Sequence, residues 1–239
     1  MSAFTTVIYE KERGIAYVTL SRPQALNSFS VKMRDDLYEV LNAIRIDDEV
    51  MVVIIKGAGE KAFCAGADLT EFLTAPSAVR ARQIRFERDL WGLFLKIPQP
   101  LIAAMHGYVL GSGIEIAALC DIRIAAEGAV FGLPEVGLGI IPAAGGTQSI
   151  PRAIGLSRAL DMLLTNRWIT CDEAFRFGLV NRVVPKGGHV KAAEIIAGKI
   201  ASFSPEAVRR AKRAIAKGID LPLNEGLEME RRLVIRKPR

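Results

Sequence analysis

Cysteine is scarce in this chain. Cys64, Cys120 and Cys171 are the only three in 239 residues, and they lie far apart. No CxxC or CxxH spacing occurs, which argues against a metal site and against a disulfide framework. Free thiols fit a reducing, cytoplasmic compartment. Histidine is scarcer still, with His106 and His189 alone. No G-x-S-x-G elbow exists either, because Leu110 rather than glycine stands two places before Ser112, and this disfavours a serine hydrolase. The opening "MSAFTTVIYEKERG" lacks a basic segment followed by an apolar core, so no secretory signal is expected. Residues 101–120 have the length of a membrane span, but His106, Glu115 and several glycines interrupt them, and no span is expected. Internal repeats and low-complexity linkers are absent.

What remains is the composition of a globular protein. Apolar residues make up 50% and charged residues 24%. The net charge is +6 and the pI about 9.4. That balance suits a nucleic acid, a membrane surface or a small anionic ligand such as a nucleotide. The basic runs cluster only late, at "RRAKRAIAK" (209–217) and "RRLVIRKPR" (231–239). They read as a solvated helix face rather than a nucleic-acid surface.

The pattern of elements is layered. "TVIYE" (6–10) and "IAYVTL" (15–20) read as a hairpin with a four-residue turn ending in Gly14. Apolar residues at 33, 37, 40, 41 and 44 predict a helix over 31–46, with Ser30 as N-cap and Asp35–Asp36 favouring its dipole. "VMVVIIKG" (50–57) and "LIAAMHG" (101–107) read as strands covered on both faces. A Gly-rich loop covers 57–69, and a long helix is expected over 77–97. A helix from "GSGIEIAALC" and strands at 121–126 and 129–132 follow. Beyond them, helical patterns at 156–165, 171–177, 189–202, 204–217 and 222–234 dominate, with a strand at 180–184. A strand–helix core followed by a helical annex is the expectation.

Two carboxylates sit in apolar settings. Glu115 lies in "GSGIEIAALC", where Ser112-x-x-Glu115 fits a capping box. The same helix start offers unpaired N–H groups and positive potential to a ligand oxygen. Glu135 lies in "FGLPEVGLGIIPAAGGTQ" with no Lys or Arg within ten residues on either side. A salt bridge to Arg123 is one explanation for it. Paired acid and base work with Glu115 is the other, since burial raises a carboxyl pKa and can divide the roles. "FCAGADL" (63–69) reads as a tight turn whose Gly66 permits a close backbone approach. His106 is expected to be structural and His189 a surface residue.

Several linked segments together resemble the crotonase family, the enoyl-CoA hydratase/isomerase superfamily. They are "SRPQALNS" (21–28), "KAFCAGADL" (61–69), "HGYVLGSGIEIAALCDIRIAAE" (106–127), "FGLPEVGLGIIPAAGGTQSIPRAIG" (131–155) and "AFRFGLVNRVV" (174–184). Their order and spacing follow the family, and the similarity extends to about residue 232. The resemblance implies an α/β, crotonase-like (ClpP/crotonase) spiral of β-β-α units over residues 1–185. A shortened helical C-terminal trimerisation region would follow over 186–239, and two trimers would stack as a hexamer.

The same resemblance implies an acyl-CoA substrate, with coenzyme A entering only as part of that substrate and no other cofactor or metal. Backbone N–H groups of Ala67 and Ser112 would form the oxyanion hole. Most relatives have glycine where Ser112 stands. Glu115 and Glu135 fall on the two catalytic positions of hydratases. Glu115 would position and deprotonate water for attack at C3, and Glu135 would give a proton to C2. Gln24, Ala25, Leu26, Ala65, Gly66, Asp68, Leu69 and Gly111 would line CoA and substrate. Gln24 replaces a common basic residue, and Thr70 stands where some relatives carry Lys, so other basic residues would serve the phosphates. After a helix like "EGLEMERRLV" the chain passes directly to "IRKPR", where relatives carry further residues that cover the acyl pocket. The expected activity is reversible hydration of a 2-enoyl-CoA. Enoyl-CoA isomerase, cyclic dienoyl-CoA hydratase and acyl-CoA hydrolase are alternatives within the family. A non-catalytic RNA-binding relative is the alternative of a different class. A homo-oligomer without membrane or nucleic-acid partners is expected.

Overall fold

The computed structural model describes residues 4–72 and 87–234. Strands β1 (Val7–Glu12) and β2 (Ile15–Leu20) form the expected hairpin. Its turn is tighter than expected. Pairing runs to Glu12 opposite Ile15, which leaves Arg13 and Gly14, both at positive φ, as a two-residue turn. Such turns match the twist of the strands they join.

Helix α1 (Val31–Ile46) begins where its sequence predicts. The Ser30 hydroxyl accepts from the Met33 N–H at 3.1 Å. Met33, Leu37, Val40, Leu41 and Ile44 are buried, as their spacing requires. Asp35 and Asp36 fall past the first turn, so the dipole does not explain them. Asp36 is buried and accepts from Lys32 Nζ at 2.6 Å and from the Thr6 hydroxyl at 2.7 Å, tying the helix to the residues before β1.

Strands then alternate between two sheets. β3 (Val52–Gly57), β5 (Leu101–Met105) and β7 (Ile122–Ala126) extend the sheet begun by β1 and β2. β4 (Ala62–Cys64), β6 (Tyr108–Leu110) and β8 (Val130–Gly132) form the second sheet. Each turn of the chain thus adds one parallel strand to each sheet, which is the spiral of β-β-α units. The loop expected over 57–69 contains β4, and β6 was hidden in the Gly-rich stretch after β5. Both strands are three residues long, too short for a period to show.

Burial on both faces explains the continuous apolar runs. In β3, Val53 and Ile55 face the core beneath α1, while Val52 and Ile54 face the opposite side. In β5, Leu101, Ala103 and Met105 take the first side, and Ile102 and Ala104 the second.

α2 (Leu69–Phe72) ends the first described segment. Most of the helix expected over 77–97 lies outside the described residues; inside them α3 spans Leu90–Phe94, capped by Asp89. α4 (Ser112–Ala118) follows β6. α5 (Gly146–Ile154), α6 (Leu156–Leu164), β9 (Ile169–Thr170), α7 (Cys171–Phe177) and β10 (Arg182–Val184) follow β8. α8 (His189–Ala201) covers the outer face of the larger sheet through Ala193 and Ala197. α9 (Pro205–Gly218) and α10 (Leu223–Leu233) pack on each other and bury no residue in the single chain. Among the described residues no helix is long and apolar enough to cross a membrane.

Candidate active site

Two glycines bring the two site loops together. A methyl group on Gly111 would lie 3.3 Å from the Gly66 Cα, so the loop after β4 and the loop after β6 touch backbone to backbone. Both glycines have positive φ, +105° and +48°. A side chain at either position would be strained, and at Gly111 crowded as well. Gly113 adds a second close approach, because a Cβ there would fall 2.2 Å from the Cys64 carbonyl oxygen. The start of α4 is thereby seated against the end of β4.

Ala67 and Ser112 each follow one of the touching glycines. Ala67 pairs with Phe29 in an isolated parallel bridge. The bonds of that bridge belong to its neighbours: Phe29 donates to the Gly66 carbonyl and Asp68 donates to the Phe29 carbonyl. The N–H of Ala67 therefore faces away from Phe29. Ser112 opens α4, where helix geometry leaves its N–H without an intrahelical acceptor. The two amides thus each follow one of the two touching glycines.

The capping box expected at Ser112 does not form. Gly111 occupies the cap position, Ser112 is already helical, and no side chain caps the helix. With Gly111 at φ +48° as the cap, the helix starts one residue earlier than the motif suggests. Glu115 is released from capping and is buried, 2% exposed. Its Oε1 accepts from the Ala144 N–H at 2.9 Å and the Gly146 N–H at 2.8 Å. Two amide donors on one oxygen stabilise negative charge there. Gly146 has to be glycine for this contact, since a Cβ would sit 2.9 Å from the same oxygen. The small-residue run "AAGG" (143–146) was the sequence signal for this anchor, and it passed unread because its partner lies 29 residues away.

Glu135 approaches the same glycine joint. A methyl on Gly111 would lie 2.7 Å from its Oε1, so the carboxylate lies directly beside the glycine joint. Its Oε2 is buried without a hydrogen-bond partner among the described residues. Burial pushes its pKa up to about 7, and the charge of Glu115 pushes in the same direction. The salt bridge to Arg123 is not made. Arg123 instead donates to the Leu179 carbonyl at 2.6 Å and clasps the Cys120 carbonyl at the end of α4.

The remaining candidate residues lie around the same loops. Gln24 and Ala25 form a 3₁₀ turn, and Leu26 follows at φ +52°. The Leu26 carbonyl accepts from the Ala65 N–H at 3.1 Å, which zips this loop to "AGAD". Asp68 pairs with Arg22 at 2.8 Å and accepts from the Thr70 hydroxyl at 2.7 Å, so its carboxylate holds the loop. Leu69 is exposed at the start of α2. Arg22 was missed as a loop organiser, since nothing local marks a partner 46 residues away.

Two further expectations change. His189 lies only partly at the surface; its ring packs against the buried His106 ring with centroids 4.8 Å apart. Burial drives its pKa down to about 4, assisted by His106 and Lys56. The late basic run is partly neutralised. Arg209 bonds Asp48 at 3.2 Å, Lys212 bonds Asp121 at 2.7 Å, and Arg210 pairs with Glu206.

Comparison with known proteins agrees with this architecture. Residues 10–238 match the family described as Enoyl-CoA hydratase/isomerase. The short-chain-enoyl-CoA hydratase of Clostridium acetobutylicum is 42% identical over 225 residues, covering 94% of this chain and 86% of that one. The crotonyl-CoA hydratase of Syntrophomonas wolfei is 39% identical over 229 residues, covering 95% and 88%. The crystal structure of an enoyl-CoA hydratase from Bacillus anthracis superposes with a TM-score of 0.92 at 42% identity, covering 96% and 89%. The spiral of paired strands, the glycine-joined loops and these likenesses together show that the chain is an enzyme of the enoyl-CoA hydratase/isomerase family.

Proposed function

We propose that the enzyme adds water reversibly to a 2-enoyl-CoA thioester, giving a 3-hydroxyacyl-CoA. The observation that supports this reading is the Gly66–Gly111 contact, which brings together the loops carrying Ala67 and Ser112 with the Glu135 carboxyl beside them. The thioester oxygen takes both amides, which stabilise the enolate-like charge that develops there; losing one such donor costs ~10²–10³ in rate. Glu115, held as an acceptor by two backbone amides, takes a proton from water as its oxygen bonds to C3. Glu135, whose raised pKa keeps it substantially protonated near neutrality, gives a proton to C2. One water is consumed: its OH ends on C3, its proton goes to Glu115, the C2 proton comes from Glu135, and net transfer of one proton from Glu115 back to Glu135 resets the pair. The chemistry as written uses only carboxyls and amides. Coenzyme A takes part as the substrate's carrier, with the 24–26 and 65–69 loops along its path.

The enzyme acts, in this reading, as a homo-oligomer. Leu156, Leu160, Leu164, Trp168 and Phe175 are exposed large hydrophobics within one stretch of chain, and α9 and α10 bury nothing alone. Exposed apolar area on this scale marks association. Three unpaired cysteines support a reducing compartment such as the cytoplasm.

The test follows the loss of crotonyl-CoA absorbance. Wild type is expected to turn over, and Glu135→Gln to lose about 10²- to 10⁴-fold in kcat while still binding CoA. Equal rates for the two would end the acid assignment. Turnover of a 3-enoyl-CoA without hydration would place the enzyme among isomerases instead.

A further inference from the structure

We propose that the turn at Thr165–Trp168 positions Glu135, with Asn166 and Trp168 as the positioning residues. This rests on the reading of Glu135 as proton donor. Glu135 has a glycine three places before it, Gly132, and another two places after it, Gly137. Side chains of one turn fill the space beside each. A methyl on Gly132 would fall 2.6 Å from the Trp168 Cδ1, and a methyl on Gly137 would fall 2.3 Å from the Asn166 Nδ2. Neither glycine has a positive φ. At both places a neighbouring side chain, not backbone freedom, takes the space of a Cβ: the indole at Gly132 and the end of the Asn166 side chain at Gly137.

The fold fixes the backbone around both positioning residues, whose side chains are partly exposed in the single chain. β8 pairs antiparallel with β9, and Phe131 lies opposite Ile169. The next pair in that register sets Trp168 over Gly132, so an indole covers a bare strand glycine. The Tyr108 ring meets the indole edge-on at 6.1 Å. Asn166 sits at φ +56° just beyond the end of α6, a conformation Asn tolerates better than most residues. Between the two contacts run Leu133, which is buried, then Pro134, Glu135 and Val136. One contact would leave the segment a pivot. Two contacts on opposite sides of Glu135 fix its position and its tilt toward Gly111.

The test is a size swap read by kinetics. Gly137→Ala pushes the segment off Asn166 and should lower kcat for crotonyl-CoA about 10- to 100-fold, as sub-ångström misplacements of reacting groups do, with KM within about twofold. Gly137→Ala combined with Asn166→Gly removes the collision and should recover most of that loss. Trp168→Ala should lower kcat similarly, and Trp168→Phe should restore part of it. In the impaired variants Glu135 gains water, so the alkaline limb of the pH profile should move to lower pH. If Gly137→Ala folds poorly, Asn166→Ala and Trp168→Ala, which only remove atoms, carry the same test. Folded variants with wild-type kcat and an unmoved alkaline limb would overturn the proposal, as would a double variant no faster than Gly137→Ala. The control is Glu135→Gln. If that variant stays active, the reading of Glu135 fails; if it is inactive while the turn variants are normal, only the positioning proposal fails.

Discussion

Single atoms decide the chemistry at Gly111. Its φ of +48° and the 2.7 Å approach of Glu135 Oε1 to any added methyl leave room for hydrogen alone. Gly111→Ala should therefore cost at least ~10² in kcat by moving the Ser112 amide and Glu135 together, since an oxyanion donor is displaced. Steady-state hydration kinetics, with circular dichroism to confirm folding, checks this. The raised pKa of Glu135 gives a second expectation. The donor must be protonated, so kcat/KM for hydration should fall about tenfold per pH unit above about 7. A profile flat from pH 6 to 9 would contradict its role. The sign for stability is opposite to that of an ordinary ion-paired carboxylate. The folded state binds the proton more tightly than the unfolded chain, so this contribution is lost as pH rises from the usual glutamate range to about 7.

Whole elements depend on pairs that link distant segments. α8 is seated over the larger sheet with His189 against His106. Burial, the His106 ring and Lys56 lower the His189 pKa to about 4 in the folded protein, while the unfolded chain titrates near 6.5. Between those values the unfolded state binds more protons, so stability is intact above pH 6.5 and declines as pH falls toward 4. Urea unfolding at a series of pH values should show that decline, and His189→Phe should flatten it. α1 depends on Asp36 in a different way. Burial opposes its charge, but hydrogen bonds from Lys32 and Thr6 outweigh that and hold its pKa below the ordinary value. Asp36→Ala should destabilise by about 2 kcal/mol, the scale of hydrogen bonds to a charged group, read as a lower urea midpoint.

At the scale of the molecule, the single chain leaves much apolar surface uncovered. Leu160 and Leu164 sit four apart on α6 and are exposed by 45% and 64%. For the proposed oligomer, replacing both with Glu should shift sedimentation toward the monomer and leave the core folded. An unchanged sedimentation coefficient would remove α6 from the interface. The spiral itself explains why the two halves of the site are held so firmly. Loops after β4 and β6 leave adjacent parallel strands of one sheet, so strand spacing brings them near each other and the Gly66–Gly111 contact completes the approach.

The sequence by itself determined the elements whose information is local. The residues 33, 37, 40, 41 and 44 placed α1, Ser30 its start, and the apolar runs at 50–57 and 101–107 the doubly covered strands. The linked glycine and carboxylate motifs also identified the family and the candidate site residues before any coordinates. Tertiary structure alone decided what those residues touch. The Ala144 and Gly146 amides on Glu115, the Asp68–Arg22 pair and the packing of His189 on His106 all join residues far apart in the chain, and the Gly111 cap follows from a backbone angle the motif does not report. Spacing along a sequence reports which face a side chain takes. It carries no signal for a partner brought near by a sheet spiral, and hydrogen bonds, desolvation and charge coupling depend on those through-space distances.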